Sequence, residues 1–229
     1  MKSMHLKYLL LICMVCFSFS CNEDKKAEQQ GPAKPAEEAA PVVKKKTIIF
    51  FGDSLSAGYG LDEPTLAFPG LIQRRLDSLK LDYQVVNAGV SGETSSGGVG
   101  RIEWILSQPV DVFVLELGAN DGLRGIPVET TEKNLQTIID SVTAKNPSVK
   151  IVLAGMQVPP NMGAKYANGF KAIFPKLAEK NKAVLIPFLL EGVGGEPALN
   201  QADGIHPNEE GHRKVAEVVW KSLFGILES

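Results

Sequence analysis

Cysteine is missing from everything after Cys21 in this 229-residue chain. Cys13, Cys16 and Cys21 lie together at the start, so the bulk of the protein has no disulfide, no thiolate metal site and no cysteine nucleophile. Histidine is almost as scarce: His5, His206 and His212 are the whole supply, and only the last two lie outside the N-terminal segment. Charge of one sign is lacking too. A formal net charge of -2 creates no field that would draw the molecule to nucleic acid or to an acidic membrane surface. The apolar run from Tyr8 to Phe19 is too short to settle as a bilayer-spanning helix, which needs about 20 residues.

That short run has another reading. Lys2 and Lys7 precede it, and Ser18, Phe19, Ser20 and Cys21 follow, so residues 1–21 read as an export signal. The pattern resembles a bacterial lipoprotein signal, which implies lipid modification of Cys21 and a place in the cell envelope. The chain would then be anchored to a membrane and face the periplasm or the cell surface. Ser18 departs from the aliphatic residue usual three positions before the cysteine; ordinary secretion is the alternative reading. Residues 22–46 are dominated by Ala, Pro, Glu, Gln and Lys, with Val42 and Val43 the only large aliphatics. Such a stretch buries too little apolar surface to offset its ordering entropy, and is expected to be a solvated linker.

The domain proper is expected over residues 47–229. Apolar runs of strand length recur at 47–52, 83–88, 110–117, 149–155 and 183–187. Between and after them, apolar residues fall at helical spacing, as in Leu135, Ile138, Ile139 and Val142, or Val215, Val218, Val219 and Leu223. Continuous apolar strands alternating with amphipathic helices predict a five-stranded parallel sheet covered on both faces. Ligands on such a sheet sit at the carboxyl ends of the strands. Functional motifs should therefore follow strands.

Four blocks satisfy or complement that rule. Gly52-Asp53-Ser54-Leu55 follows the first strand and can project a serine hydroxyl from a turn. Gly89-Val90-Ser91-Gly92 follows the second, where Gly92 can aim a backbone N–H outward. Gly118-Ala119-Asn120-Asp121 follows the third, and the Asn120 amide is a neutral donor. Asp203-Gly204-Ile205-His206-Pro207 precedes the last helix; a carboxylate three residues before a histidine can orient one imidazole nitrogen and leave the other free. Taken singly, each block also reads as a turn or cap, and Asp-x-x-His as half a metal site with no second half. His212 is expected on a solvated helix face. Asp53 and Glu116 are expected to be hydrogen-bonded residues that hold loops.

In that order, the blocks resemble the SGNH hydrolases, or GDSL family, over essentially the whole of residues 47–229. Residues Gly118 to Gly125, Gly155 to Asn161 and Asp203 to Asn208 are similar to the bacterial thioesterase–lysophospholipase–arylesterase branch. The resemblance implies a three-layer α/β/α flavodoxin-like fold with strand order 2-1-3-4-5. It implies Ser54 as nucleophile, His206 as general base and acid, and Asp203 as its orienting carboxylate. The oxyanion hole would comprise the backbone N–H groups of Ser54 and Gly92 and the Asn120 side chain. The implied activity is hydrolysis of small acyl esters, thioesters or lysophospholipids, with no metal or organic cofactor. Removal of acetyl groups from carbohydrate on the same triad is the alternative, and a non-catalytic ligand-binding lipoprotein is the alternative of another class. Leu123, Ile126 and Pro127, with Met156, Val158, Pro159, Pro160 and Met162, are expected to form an apolar wall for an acyl chain.

Overall fold

The computed structural model describes residues 45–227. The expected export signal, Cys21 and nearly all of the linker lie outside the described residues. Five parallel strands form one sheet: β1 (Lys46–Gly52), β2 (Tyr83–Gly89), β3 (Val112–Glu116), β4 (Lys150–Ala154) and β5 (Val184–Ile186), in the order β2-β1-β3-β4-β5. This is the order expected for a flavodoxin-like sheet. β1 begins one residue before the expected domain start, because Lys46 pairs with Tyr83.

The central strands are apolar through their middles, as burial on both faces requires, with polar residues only at their ends. Ile48, Ile49, Phe50 and Phe51 of β1 and Phe113 and Leu115 of β3 are fully buried. Helices α2 (Phe68–Ser78) and α7 (Glu209–Leu227) pack together, with α2 against β2 and α7 against β4 and β5. A second group comprises α3 (Ser95–Ile105), α5 (Val128–Lys145) and α6 (Ala164–Asn181), which pack in that sequence. Each helix buries one stripe: Leu135, Ile138, Ile139 and Val142 in α5, and Val215, Val219 and Leu223 in α7. Together the two groups cover the sheet and give the three layers.

Two short helices were not legible as periodic patterns, being too short to show a period. They are α1 (Ser54–Ala57), directly after β1, and α4 (Ala119–Leu123), after β3. Both stand at the carboxyl end of the sheet. They carry two of the four functional blocks.

His212 overturns its expected place on a solvated face. It lies on the stripe of α7 turned toward α2, is only 1 % exposed, and stacks on Phe68 with ring centroids 6.3 Å apart. Its Nδ1 accepts from the Phe68 backbone N–H at 3.2 Å. The residue before α2, Ala67, offers no side-chain cap, so His212 supplies the acceptor that the first helical N–H lacks. Burial, with a smaller contribution from the charge of His206, lowers its pKa to about 4. A neutral imidazole is what an accepting Nδ1 requires.

Candidate active site

Ser54 is the first residue of α1, and Asp53 is its N-cap. The backbone donors around it are nearly all occupied. Leu55 N donates to Asp53 Oδ1 at 3.0 Å, Ala57 N to the Asp53 carbonyl, and both Asp53 N and Ser56 N to Glu116 Oε2. The Ser54 N–H has no such partner among the described residues. It is the one orphan donor of the turn, beside its own hydroxyl.

Glu116, at the end of β3, is the peg on which this turn hangs. Its Oε2 accepts three hydrogen bonds, from Asp53 N at 3.2 Å, Ser56 N at 3.1 Å and Ser56 Oγ at 2.6 Å. Gly52 is required beside it, since a Cβ there would stand 2.2 Å from Glu116 Oε2. Asp53 and Glu116 therefore hold the loop as expected. Burial is the first cause of a raised pKa for both, Asp53 to about 6 and Glu116 well above the ordinary carboxyl range, with the charge of Asp53 adding to the rise of Glu116. Asp53 does one thing more: its Oδ2 accepts from Asn120 Nδ2 at 3.0 Å.

The last block arrives from the loop before α7. His206 Nε2 lies 2.9 Å from Ser54 Oγ, and His206 Nδ1 lies 2.6 Å from Asp203 Oδ2. Asp203 Oδ1 accepts from the backbone N–H of Ile205 and His206 at 2.9 and 3.0 Å. Hydrogen bonding from the His206 side chain, then from these two N–H groups, lowers the Asp203 pKa to about 2. A charged carboxylate facing Nδ1 fixes the proton there and leaves Nε2 to accept from the serine.

Gly92 occupies a turn in which Glu93 N donates to the Val90 carbonyl. Its φ of +78° suits the third position of such a turn and strains any residue with a Cβ. The Gly92 N–H has no partner among the described residues. Arg101 braces the turn: it pairs with Glu93 and donates to the carbonyls of Gly52 and Ala88 at 3.2 and 2.8 Å. Arg124 donates to the Gly92 carbonyl at 2.9 Å, and buried Asp121 accepts from Ser95 N and Ser95 Oγ at the start of α3. The loops bearing Ser54, Gly92 and Asn120 are thus tied to one another. Asn120 spends one amide proton on Asp53 and keeps the second.

The structure brings Ser54, Asp203 and His206 together, and it links Gly92 and Asn120 to the same turn. The residues that brace them, Arg101, Glu93 and Arg124, carried no spacing signal in the sequence. Nor did Tyr59, whose ring centroid lies 4.6 Å from that of His206. Among the described residues no group of three metal-ligating side chains exists.

The sequence pattern of the GDSL-like Lipase/Acylhydrolase family matches residues 50–214, which span all four blocks. The chain belongs to that family. It is 40% identical over 183 residues to Esterase TesA of Pseudomonas aeruginosa, covering 80% of this chain and 90% of that protein. To the Thioesterase 1/protease 1/lysophospholipase L1 of Escherichia coli K12 it is 40% identical over 178 residues, covering 77% and 83%. The crystal structure of the psychrotrophic esterase EstA from Pseudoalteromonas sp. superposes with a TM-score of 0.75 at 33% identity, covering 81% of this chain and all of that one. This GDSL-family chain is accordingly a hydrolase of ester bonds, and a purely ligand-binding lipoprotein is set aside.

Proposed function

We propose that Ser54 is the nucleophile of an acyl-transfer reaction with His206 as base and acid and Asp203 as its orienting carboxylate. One observation carries the reading: the unbroken Ser54 Oγ–His206 Nε2 and His206 Nδ1–Asp203 Oδ2 contacts of 2.9 and 2.6 Å. As Oγ bonds to the carbonyl carbon, Nε2 takes its proton. The N–H groups of Ser54 and Gly92 and the second amide proton of Asn120 receive the oxyanion. The bond to the leaving oxygen or sulfur then breaks, and His206 returns the proton to that atom. Water repeats the sequence on the acyl-enzyme, releasing the carboxylic acid and restoring Ser54. The chemistry calls for no metal or organic cofactor.

For the substrate, the reading is an acyl ester, thioester or lysophospholipid of short to medium chain. Of the six large apolar side chains that stay exposed among the described residues, four adjoin the site: Tyr59, Val90, Leu123 and Ile205. The loop after β4 supports the acyl side, since a Cβ on Gly122 would meet Val158 at 2.3 Å and one on Gly125 would meet Met162 at 3.8 Å. Met156 does not join that wall; at 2 % exposed it belongs to the core. Ser54→Ala is expected to leave a folded domain with hydrolysis near background, and a fluorophosphonate probe to label the wild type at Ser54. Label on Ser56 or Ser91, or full activity in Ser54→Ala, defeats the assignment.

The same reading places the enzyme on a membrane through a lipidated Cys21, supported by the residues around that cysteine. Cys21→Ser should shift the protein to a soluble fraction and abolish fatty-acid labelling. A soluble, unlabelled wild type refutes the anchor and leaves the chemistry untouched.

A further inference from the structure

Tyr59 is an anomaly for a residue so firmly placed. Its backbone N–H donates to the Ser54 carbonyl at 3.0 Å, and its own carbonyl accepts from Gln201 Nε2 at 2.6 Å. Gln201 in turn reaches into the histidine loop, its N–H donating to the His206 carbonyl at 2.8 Å and its Nε2 to that of Pro207 at 3.0 Å. The fit is close: a Cβ on Gly60 would lie 2.1 Å from Gln201 Oε1. The backbone of Tyr59 thus rivets the serine turn to the histidine loop. Yet its side chain is 52 % exposed, and its hydroxyl has no hydrogen-bond partner among the described residues. One part of the ring lies toward the imidazole, with planes inclined at 43°, and the rest faces solvent. Ile205, beside His206, is likewise 48 % exposed.

We propose that Tyr59 and Ile205 form a leaving-group platform that favours planar, aromatic alcohols. The argument rests on the assignment of His206 as the acid that protonates the leaving atom. That atom must depart within hydrogen-bond reach of Nε2, which places the group attached to it next to the imidazole. The surface available there is the exposed part of the Tyr59 ring and the Ile205 side chain. Leu123 and Val158 belong instead to the Asn120 side, so the acyl and leaving groups have separate apolar supports. Offset or edge contact between an aryl leaving group and the Tyr59 ring adds attraction beyond simple burial. An alkyl alcohol gains little from it.

The two half-reactions separate this role from simple support of His206. Phenyl butyrate and ethyl butyrate give one and the same butyryl-enzyme, so they differ in acylation and share deacylation. Tyr59→Ala is expected to cut the preference for phenyl over ethyl butyrate in kcat/KM by about threefold to tenfold, the range for one aromatic contact. The deacylation rate, read after the burst of phenol, should change by less than about twofold. Tyr59→Phe, which keeps the ring and loses only the hydroxyl, should restore the preference. Equal losses for both esters accompanied by slowed deacylation would make Tyr59 a support for His206 and overturn the platform. An unchanged preference overturns it as well. Failure of the underlying triad would show differently, as a wild type with no burst and no label on Ser54.

Discussion

Replacing Glu116 by Gln and by Ala separates its charge from its hydrogen bonds. The side chain is fully buried, Oε2 accepts from Asp53 N, Ser56 N and Ser56 Oγ, and Oε1 has no partner among the described residues. Burial holds its pKa well above the ordinary value of 4.5, so the folded protein keeps a proton that the unfolded chain has released. With the folded pKa raised, the contribution to stability is complete below about pH 4.5 and is lost as pH rises toward the folded pKa. The loss is about 1.4 kcal/mol for each pH unit over which only the folded state holds the proton. Glu116→Gln preserves an acceptor oxygen and cannot ionise. Its stability relative to wild type should therefore improve with rising pH by that slope. Asp53, with a shift of the same sign, is present in both proteins and drops out of the comparison to first order. Glu116→Ala strands three buried donors at about 1–3 kcal/mol each and, being equally unable to ionise, should lie at least about 3 kcal/mol below Glu116→Gln at every pH. Urea unfolding followed by tryptophan fluorescence across about pH 4 to 8 measures all three proteins. A Gln variant as unstable as the Ala variant, or a wild-type-minus-Gln difference flat with pH, would refute a protonated Glu116.

Two further outcomes concern the proposed catalytic groups. Asn120→Ala should lower kcat by roughly 10²–10³ with little change in KM, because its free amide proton matters most when charge develops on the carbonyl oxygen; a loss expressed in KM would assign Asn120 to substrate binding. Asp203→Asn should cost far more activity than thermal stability, since the Asp203 side chain is more than a third exposed while its carboxylate fixes the His206 tautomer; with Asp203 ionised down to about pH 2, an acid limb of activity near neutrality must come from other groups, and its disappearance in Asp203→Asn alone would refute that.

The sheet was legible because mainly apolar runs of strand length alternate with helical patterns, as a parallel sheet covered on both faces requires. The order of strands came instead from the resemblance that the four blocks carry. Ser54, Gly92, Asn120, Asp203 and His206 were legible as motifs because each follows a strand or precedes a helix. What escaped is what depends on three-dimensional approach between distant segments. His212 sits at a position that helical periodicity makes either core or surface, and its burial is decided by α2, some 140 positions earlier. Arg101 reaches Gly52 across 49 residues, and the Tyr59 carbonyl meets Gln201 across 142. Glu116 was visible as a polar residue in an apolar strand. That it organises the serine turn, rather than merely tolerating burial, needed the positions of three donors from α1 and its cap.

Chain length tests the acyl side of the site most directly. The wall proposed there draws on Val158, which packs against Gly122, and on Met162 near Gly125, with Leu123 left 44 % exposed at its edge. Tyr166 Oη donates to the Ile126 carbonyl at 2.7 Å and fixes the far end of the Asn120 segment to α6. Because Met156 is buried, the loop after β4 contributes fewer side chains than its composition suggests, and the support is short. Each methylene laid on it adds up to about 0.8 kcal/mol, or about fourfold in kcat/KM when fully covered. A p-nitrophenyl ester series should therefore climb steeply from acetyl, flatten once the chain outruns Val158 and Met162, and gain nothing further from long chains. Val158→Ala, which leaves the triad alone, should lower the climb without changing the rate of fluorophosphonate labelling at Ser54. A series that is best at acetyl, with every added carbon reducing kcat/KM, would refute the acyl wall and return acetylated carbohydrate to the front of the candidates.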